Sequence, residues 1–372
     1  MNSTSTVRVG VVGVGGMGGS HAAKLRDGVI PRATLGAVCD ANPVHFDKFP
    51  DAPSFTDFEA MLDSDEVDAV VIATPHYFHT TQGVAALERN IPTLTEKPIA
   101  VDKADAEKMI AAWEKHKPVF AAMFNQRTNP LYKKLRELLQ DGTLGEVRRV
   151  TWVITNWFRT EAYYASGGWR ATWGGEGGGI LVNQCPHNLD LFQWLFGMPT
   201  SVTALAKYGK YHDIEVEDEF HAIFDFANNA TGSMISTTGE TPGVNELEIA
   251  TDNGLIHLKD GAIHWAKTES SVNQWSRETS QTMRGPQVWK VEIPVGNKGG
   301  EHTEVLINFI DAILDGTPLI AGAPEGMKSV EIANAILYAS HERRTIDLPL
   351  DSAEYAKFLA EKVAGSRFQF GK

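Results

Sequence analysis

Residues 7 to 21 read VRVGVVGVGGMGGSH, an apolar run from Val7 to Val12, a glycine-rich turn and the opening of a helix. Inside this stretch Gly13-Val14-Gly15-Gly16-Met17-Gly18 matches G-x-G-x-x-G. The glycines allow a tight turn and let the backbone approach a pyrophosphate, whose charge sits at a helix N-terminus. Glycine-rich turns are common, so the hexapeptide alone says little. Its surroundings decide. Leu35 to Cys39 reads as a second buried strand, and Asp40 follows it, 22 residues beyond Gly18. A carboxylate there accepts hydrogen bonds from an adenosine ribose and repels a 2′-phosphate. No Arg or Lys follows before Lys48, so NAD is expected as cofactor in preference to NADP. The competing role for Asp40 is a turn cap ahead of Ala41-Asn42-Pro43.

The alternation continues. Ala69 to Ala73, Pro92 to Glu96 and Val119 to Met123 read as strands, with helical segments at Thr80 to Arg89 and Ala104 to His116. Short apolar strands alternating with helices imply right-handed crossovers and a doubly wound parallel sheet, a Rossmann-type α/β domain over residues 1–125. Thr74, Pro75, His76 and His79 fall on a loop beside the cofactor, and Asn125 closes the domain on the same side. After residue 125 the style changes. A helix at Leu131 to Gln140 precedes strand-like runs at Glu146 to Trp157, Ser201 to Ala206, Glu219 to Phe226, Thr231 to Thr237, Glu246 to Ala250 and Leu255 to Leu258. Helices follow at Thr303 to Leu314 and Gly326 to Ser340, while Ser270 to Arg284 reads as a surface loop. Residues 126–372 are therefore expected to form an α+β domain with a large, mostly antiparallel sheet, for substrate binding and oligomerisation.

At 372 residues the chain exceeds what one core usually organises, which agrees with two domains. Its 47 acidic and 34 basic residues give a net charge of −13, which argues against nucleic acid or an anionic membrane as main partner. The start lacks a basic segment followed by an apolar run, and no apolar run is long enough for a bilayer, so a cytoplasmic protein is expected. Two cysteines, Cys39 and Cys185, exclude a disulfide framework and a Cys-rich zinc site. His76 and His79 lie three apart without a third ligand in sight, so no metal is expected.

Thr95-Glu96-Lys97-Pro98 ends a parallel strand, the edge where such sheets bind ligands, and places Lys97 toward the nicotinamide. With this tetrapeptide the chain resembles the Gfo/Idh/MocA family, named for glucose–fructose oxidoreductase and inositol dehydrogenase. The glycine fingerprint, Glu-Lys-Pro and a later glycine-rich segment leading to His and Asp occur here in order. The last is Gly177-Gly-Gly-Ile-Leu-Val-Asn183-Gln-Cys-Pro-His187-Asn-Leu-Asp190. The likeness extends to Glu217-Asp218-Glu219 and the Ser329 to Ser340 helix, nearly the whole chain.

The resemblance implies that Lys97 and His187 are the catalytic pair, that the second domain holds the substrate, and that Trp169 and Arg170 lie near the nicotinamide. It also implies a homodimer or homotetramer, since the family's second sheet often packs face to face. His187 suits a general base and Lys97 a donor to a developing alkoxide. A purely structural His187 would instead bond Asp190, one helical turn away. The family often carries Asp four residues before the His, where this chain has Asn183. An amide on the same helical face binds a hydroxyl but cannot accept a proton. Pro186 either kinks this helix or begins it.

Aromatic and basic residues gather between Trp152 and Trp173: Trp157, Phe158, Arg159, Tyr163, Tyr164, Trp169 and Arg170. Such faces and donors suit a polyhydroxylated ring. Asn183, Asp190, Arg159, Tyr163 and Trp157 are the expected substrate contacts, and the substrate a carbohydrate or polyol. The leading expectation is oxidation of a secondary alcohol of a sugar, glycoside or inositol-like polyol. Two others compete: a redox-neutral hydrolase or lyase with tightly held NAD, and a non-catalytic dinucleotide sensor, which would not need Lys97 and His187 together.

Overall fold

The protein is described by a computed structural model over residues 6–369. Its first sheet has six parallel strands: β1 (Val7–Val12), β2 (Ala33–Cys39), β3 (Ser54–Phe55), β4 (Ala69–Ile72), β5 (Thr93–Thr95) and β6 (Phe120–Ala122). Their order is β3-β2-β1-β4-β5-β6. All four residues of β4 are fully buried, as a parallel strand covered on both faces requires. Helices α1 (Met17–Arg26), α2 (Phe58–Leu62), α3 (His76–Glu88) and α4 (Lys103–Glu114) provide the cover. Because strand order reverses between β1 and β4, the loops after β1, β2, β4 and β5 converge on one crevice. These are the loops that carry Gly13, Asp40, Thr74 and Lys97.

Helices α5 (Pro130–Gln140), α6 (Glu161–Tyr164) and α7 (Pro186–Phe196) belong to the second region. Its sheet has nine strands: β7 (Val147–Ile154), β8 (Ser201–Tyr208), β9 (Glu217–Asp225), β10 (Thr231–Thr237), β11 (Asn245–Thr251), β12 (Gly254–Lys259), β13 (Ala262–Thr268), β14 (Val288–Ile293) and β15 (Ile346–Asp347). The order is β14-β13-β12-β11-β7-β10-β9-β8-β15, and only β7 and β10 run parallel. Along β9 Phe220, Ala222 and Phe224 point into the core while His221 and Ile223 face out, the two-residue period of a half-covered sheet. The core layer rests on α7 and α10 (Ala323–Glu342), with Trp152, Phe192, Phe220 and Phe224 fully buried.

Three features differ from the sequence expectation. The stretch expected as a loop at Ser270 to Arg284 contains the helix α8 (Val272–Glu278), capped by the Ser271 side chain accepting from the Gln274 amide at 3.1 Å. Strands β3, β13, β14 and β15 and the helices α2, α6 and α11 (Ser352–Ala364) lie where no element was expected. The helix α9 (His302–Asp315), assigned by sequence to the second domain, packs in the first. Its Val305, Leu306, Phe309 and Ile310 share a core with Val7, Val9 and Val11. An apolar stripe shows that a helix is covered but not by which sheet. The chain then passes β6, where the Ala122 amide donates to the Ala321 carbonyl at 3.0 Å.

Candidate active site

The glycine loop is built for a close guest. A Cβ on Gly18 would lie 2.1 Å from the Gly13 carbonyl oxygen, so only glycine lets α1 start this near the loop. At Gly16 the same atom would meet nothing within 4 Å, leaving open space at a helix N-terminus where a diphosphate would sit. Val14 is buried beneath the loop and Met17 is exposed at its rim. Asp40 follows β2 as expected, and its carboxylate meets His45 Nδ1 at 2.9 Å and the Asn42 amide at 2.9 Å. His45 also lies against Gly15. The turn-cap role and a ribose-binding role are thus both open to Asp40.

The β4 and β5 loops are tied together. His79 gives both ring nitrogens to carbonyls, Pro98 at 2.8 Å and Thr74 at 2.8 Å. It therefore braces the two loops from α3, the helix that includes His76 and His79 where the sequence suggested a loop. Only a protonated ring satisfies both carbonyls, whereas burial lowers the pKa of this histidine. Thr74 donates to Gln82 at 2.7 Å, and Pro75 caps α3 just ahead of His76. Burial and the neighbouring charges of His79 and Lys97 push His76 down to about 3, so it is neutral. Asn125 donates to the Gly300 carbonyl, while its Oδ1 is buried without a partner among the described residues. That orphaned acceptor suits an amide donor from a bound cofactor. Among the described residues no group of three or more His, Cys, Asp or Glu is placed to hold a metal.

Glu96 has a partner the sequence did not point to. His21 Nε2, wholly buried on α1, meets Glu96 Oε1 at 2.8 Å, and the His302 ring lies 5.7 Å from that of His21. Burial alone would raise the Glu96 carboxyl, but the His21 bond and the charges of His21, Lys97 and His302 hold it at about 2. The next residue, Lys97, reaches across to the second region and donates to the Asn183 main-chain carbonyl at 2.9 Å. Burial pulls the Lys97 pKa below the usual lysine range.

Asn183 does not share a helical face with His187, as the sequence suggested. Pro186 is the first residue of α7, so Asn183 lies in the turn before it. Its amide donates to Glu176 Oε1, while Glu176 Oε2 accepts from the Ala171 amide at 2.6 Å. Glu176, buried and held above the usual carboxylate range by desolvation, was missed. So was Glu217, whose carboxylate accepts from the amides of Gly179 (2.9 Å) and Leu181 (3.0 Å) and fixes the glycine turn. Its only sequence signal was the acidic triplet starting there.

His187 makes no hydrogen bond within the described protein. Its Nδ1 is buried without a partner, and its ring meets Phe124 edge-on at 6.0 Å. Burial and the Lys97 charge push it down to about 3. Asp190, expected as a substrate contact, is not its partner: the carboxylate is buried and bonded elsewhere. Asp190 receives Arg127 through two bonds of 2.7 and 2.6 Å, both side chains 1% exposed, and Glu325 takes the other edge of the guanidinium at 2.6 Å. Trp157, Arg159, Tyr163, Trp169 and Arg170 do come together, in one stack.

Two family models match. Residues 7–124 match the oxidoreductase family, NAD-binding Rossmann fold, and residues 132–257 the GFO/IDH/MocA C-terminal domain. An inositol 2-dehydrogenase of Corynebacterium glutamicum is 30% identical over 330 residues, 86% of this chain and 89% of that one. An NADP-linked scyllo-inositol 2-dehydrogenase of Bacillus subtilis is 23% identical over 92% of this chain and 96% of its own. Among solved structures, the WlbA dehydrogenase from Bordetella pertussis, in complex with NADH and UDP-GlcNAcA, superposes with a TM-score of 0.78 at 25% identity. That match covers 93% of this chain and 100% of the other.

Proposed function

The chain belongs to the Gfo/Idh/MocA family of NAD-binding oxidoreductases, and from that premise we propose that it oxidises a secondary alcohol of a sugar, glycoside or cyclic polyol. The observation that carries this reading is the pairing of Lys97, pinned to Asn183, with a His187 free of protein hydrogen bonds. The Gly13–Gly18 loop, Asp40, Asn125 and the β4 loop would hold the dinucleotide. When bound, it supplies the two-electron acceptor.

The chain's own residues handle the proton. Lys97 donates to the alcohol oxygen and stabilises negative charge there. His187 enters neutral and takes the hydroxyl proton. One Asn183 amide N–H is spent on Glu176, which leaves its Oδ1 and second N–H for a substrate hydroxyl. The Asp40 carboxylate supports NAD as the preferred cofactor. A homodimer or homotetramer through the open face of the second sheet fits the exposed Leu205 and Ile223.

The test is a screen of inositols, sugars and glycosides with NAD, following reduced nicotinamide by absorbance, with NAD and NADP titrated in parallel. His187→Ala should lower turnover on the best substrate by about 10²–10⁴-fold with NAD affinity nearly intact. Full activity of that variant would reject the general-base assignment. Product formation without net NADH would favour the redox-neutral alternative.

A further inference from the structure

Near the catalytic pair, rings and guanidiniums alternate in the order Trp157, Arg159, Tyr163, Arg170, Trp169. Arg159 stands 5.7 Å from the Trp157 ring centre and 5.0 Å from that of Tyr163. Arg170 stands 4.9 Å from Tyr163 and 4.8 Å from Trp169. Aromatic faces attract a cation without neutralising it. Among the described residues neither guanidinium forms an ion pair, although the Arg170 charge acts on the buried Glu176 carboxyl. The Arg159 guanidinium bonds, among the described residues, only the carbonyls of Trp157 (3.4 Å) and Phe158 (2.9 Å), and that of Arg170 only the Tyr163 hydroxyl at 3.2 Å. Each guanidinium has five donors, so most are unspent, and Arg159 Nε is buried without a partner.

Arg136 is likewise stacked on a ring, Trp194 at 4.5 Å, without an ion pair among the described residues, so what marks this stack is two such cations on one run of rings and the buried, unpartnered Arg159 Nε. With a net charge of −13 the chain has acidic side chains to spare, and Arg32, Arg127, Arg148 and Arg149 each pair with one. The stack is also fixed in place. The Arg159 amide donates to the Thr238 carbonyl at 3.0 Å, and its carbonyl meets His212 Nε2 at 3.0 Å. Tyr163 hydroxyl meets Gln184 Nε2 at 3.4 Å, joining the stack to the turn where Asn183 holds Lys97. A neutral polyol has no need of two unpaired cations; an anionic oxygen group matches the planar forks.

We propose that the Arg159–Arg170 stack is an anion subsite, and that the substrate oxidised at Lys97 and His187 carries a carboxylate or a phosphate. This rests on reading the site as a sugar or polyol dehydrogenase. The experiment titrates glucose, glucuronate and glucose 6-phosphate into the NADH-loaded protein, read by tryptophan fluorescence, since Trp157 and Trp169 flank the stack. At least one anion should bind about 10- to 100-fold tighter than glucose, with the preference shrinking as salt rises. The tighter of the two anions identifies the group. Arg159→Met should bring the anion down to parity with glucose, and Arg159→Lys should keep part of the preference. NADH affinity should be the same in all three proteins.

Equal binding of glucose and both anions, or no binding by either anion, overturns the proposal. So does an Arg159→Met protein that loses NADH affinity as much as anion affinity, because the stack would then serve the cofactor's diphosphate. Binding is read without turnover. An anion preference with no oxidation of any alcohol would leave the subsite standing and reject the dehydrogenase reading.

Discussion

Two arginine clusters flank the turn and helix that run from Asn183 to Phe196, and they are opposites. Arg127 is buried, gripped by Asp190 and Glu325, and stacked on Trp194 at 5.4 Å. Arg159 and Arg170 are half-buried, stacked on rings, and paired with no carboxylate. The first cluster ties the end of the Rossmann region to α7 and α10, with the Arg127 charge answered from within. The second leaves its charge for something outside the chain.

The comparison breaks first at Asp190. Asp190→Ala leaves a buried guanidinium without its main partner and should cost about 3–5 kcal/mol in stability. Urea denaturation checks this, and a loss below ~1 kcal/mol would mean Glu325 and Trp194 hold Arg127 unaided.

Glu217 offers a sharper case, a buried carboxylate answered only by backbone amides. Burial pushes it up to about 7 from 4.5, against the bonds from Leu181 and Gly179 and with some repulsion from Asp218. The folded state therefore binds the extra proton. The stability this gives is present below pH 4.5 and is lost as pH rises through 7, on the order of 3 kcal/mol. Denaturation midpoints at pH 5 and pH 8 should show a smaller drop in Glu217→Gln than in the parent protein. Equal drops would place the proton elsewhere.

The smallest effect is predicted for the open cluster. Arg170→Ala removes two ring contacts and one hydrogen bond to the Tyr163 hydroxyl but no ion pair, so melting should report a loss of only about 1–2 kcal/mol. A loss as large as that of Asp190→Ala would make the stack a structural element rather than a site.

Local chemistry carried much of this protein in plain sequence. Gly13 to Gly18 between an apolar run and a helix, with Asp40 ending the next strand, specified the first sheet, because those signals depend on neighbours along the chain. Thr231–Thr237 was legible for the same reason, its alternation being a property of the strand itself. Lys97 and His187 stood out as residue types in a motif. What each of them touches did not. Asp190 looked like a partner for His187 by spacing, and the fold gave it to Arg127, 63 positions away. Glu176 and His21 entered the site through bonds to Asn183 and Glu96 that cross 7 and 75 positions. The assignment of α9 to the first core was likewise beyond reach, since an amphipathic stripe fits any apolar surface. Which cations are answered and which are left open depends on every carboxylate near them in space. That arrangement exists only once both sheets have packed around the turn from Asn183 to Pro186.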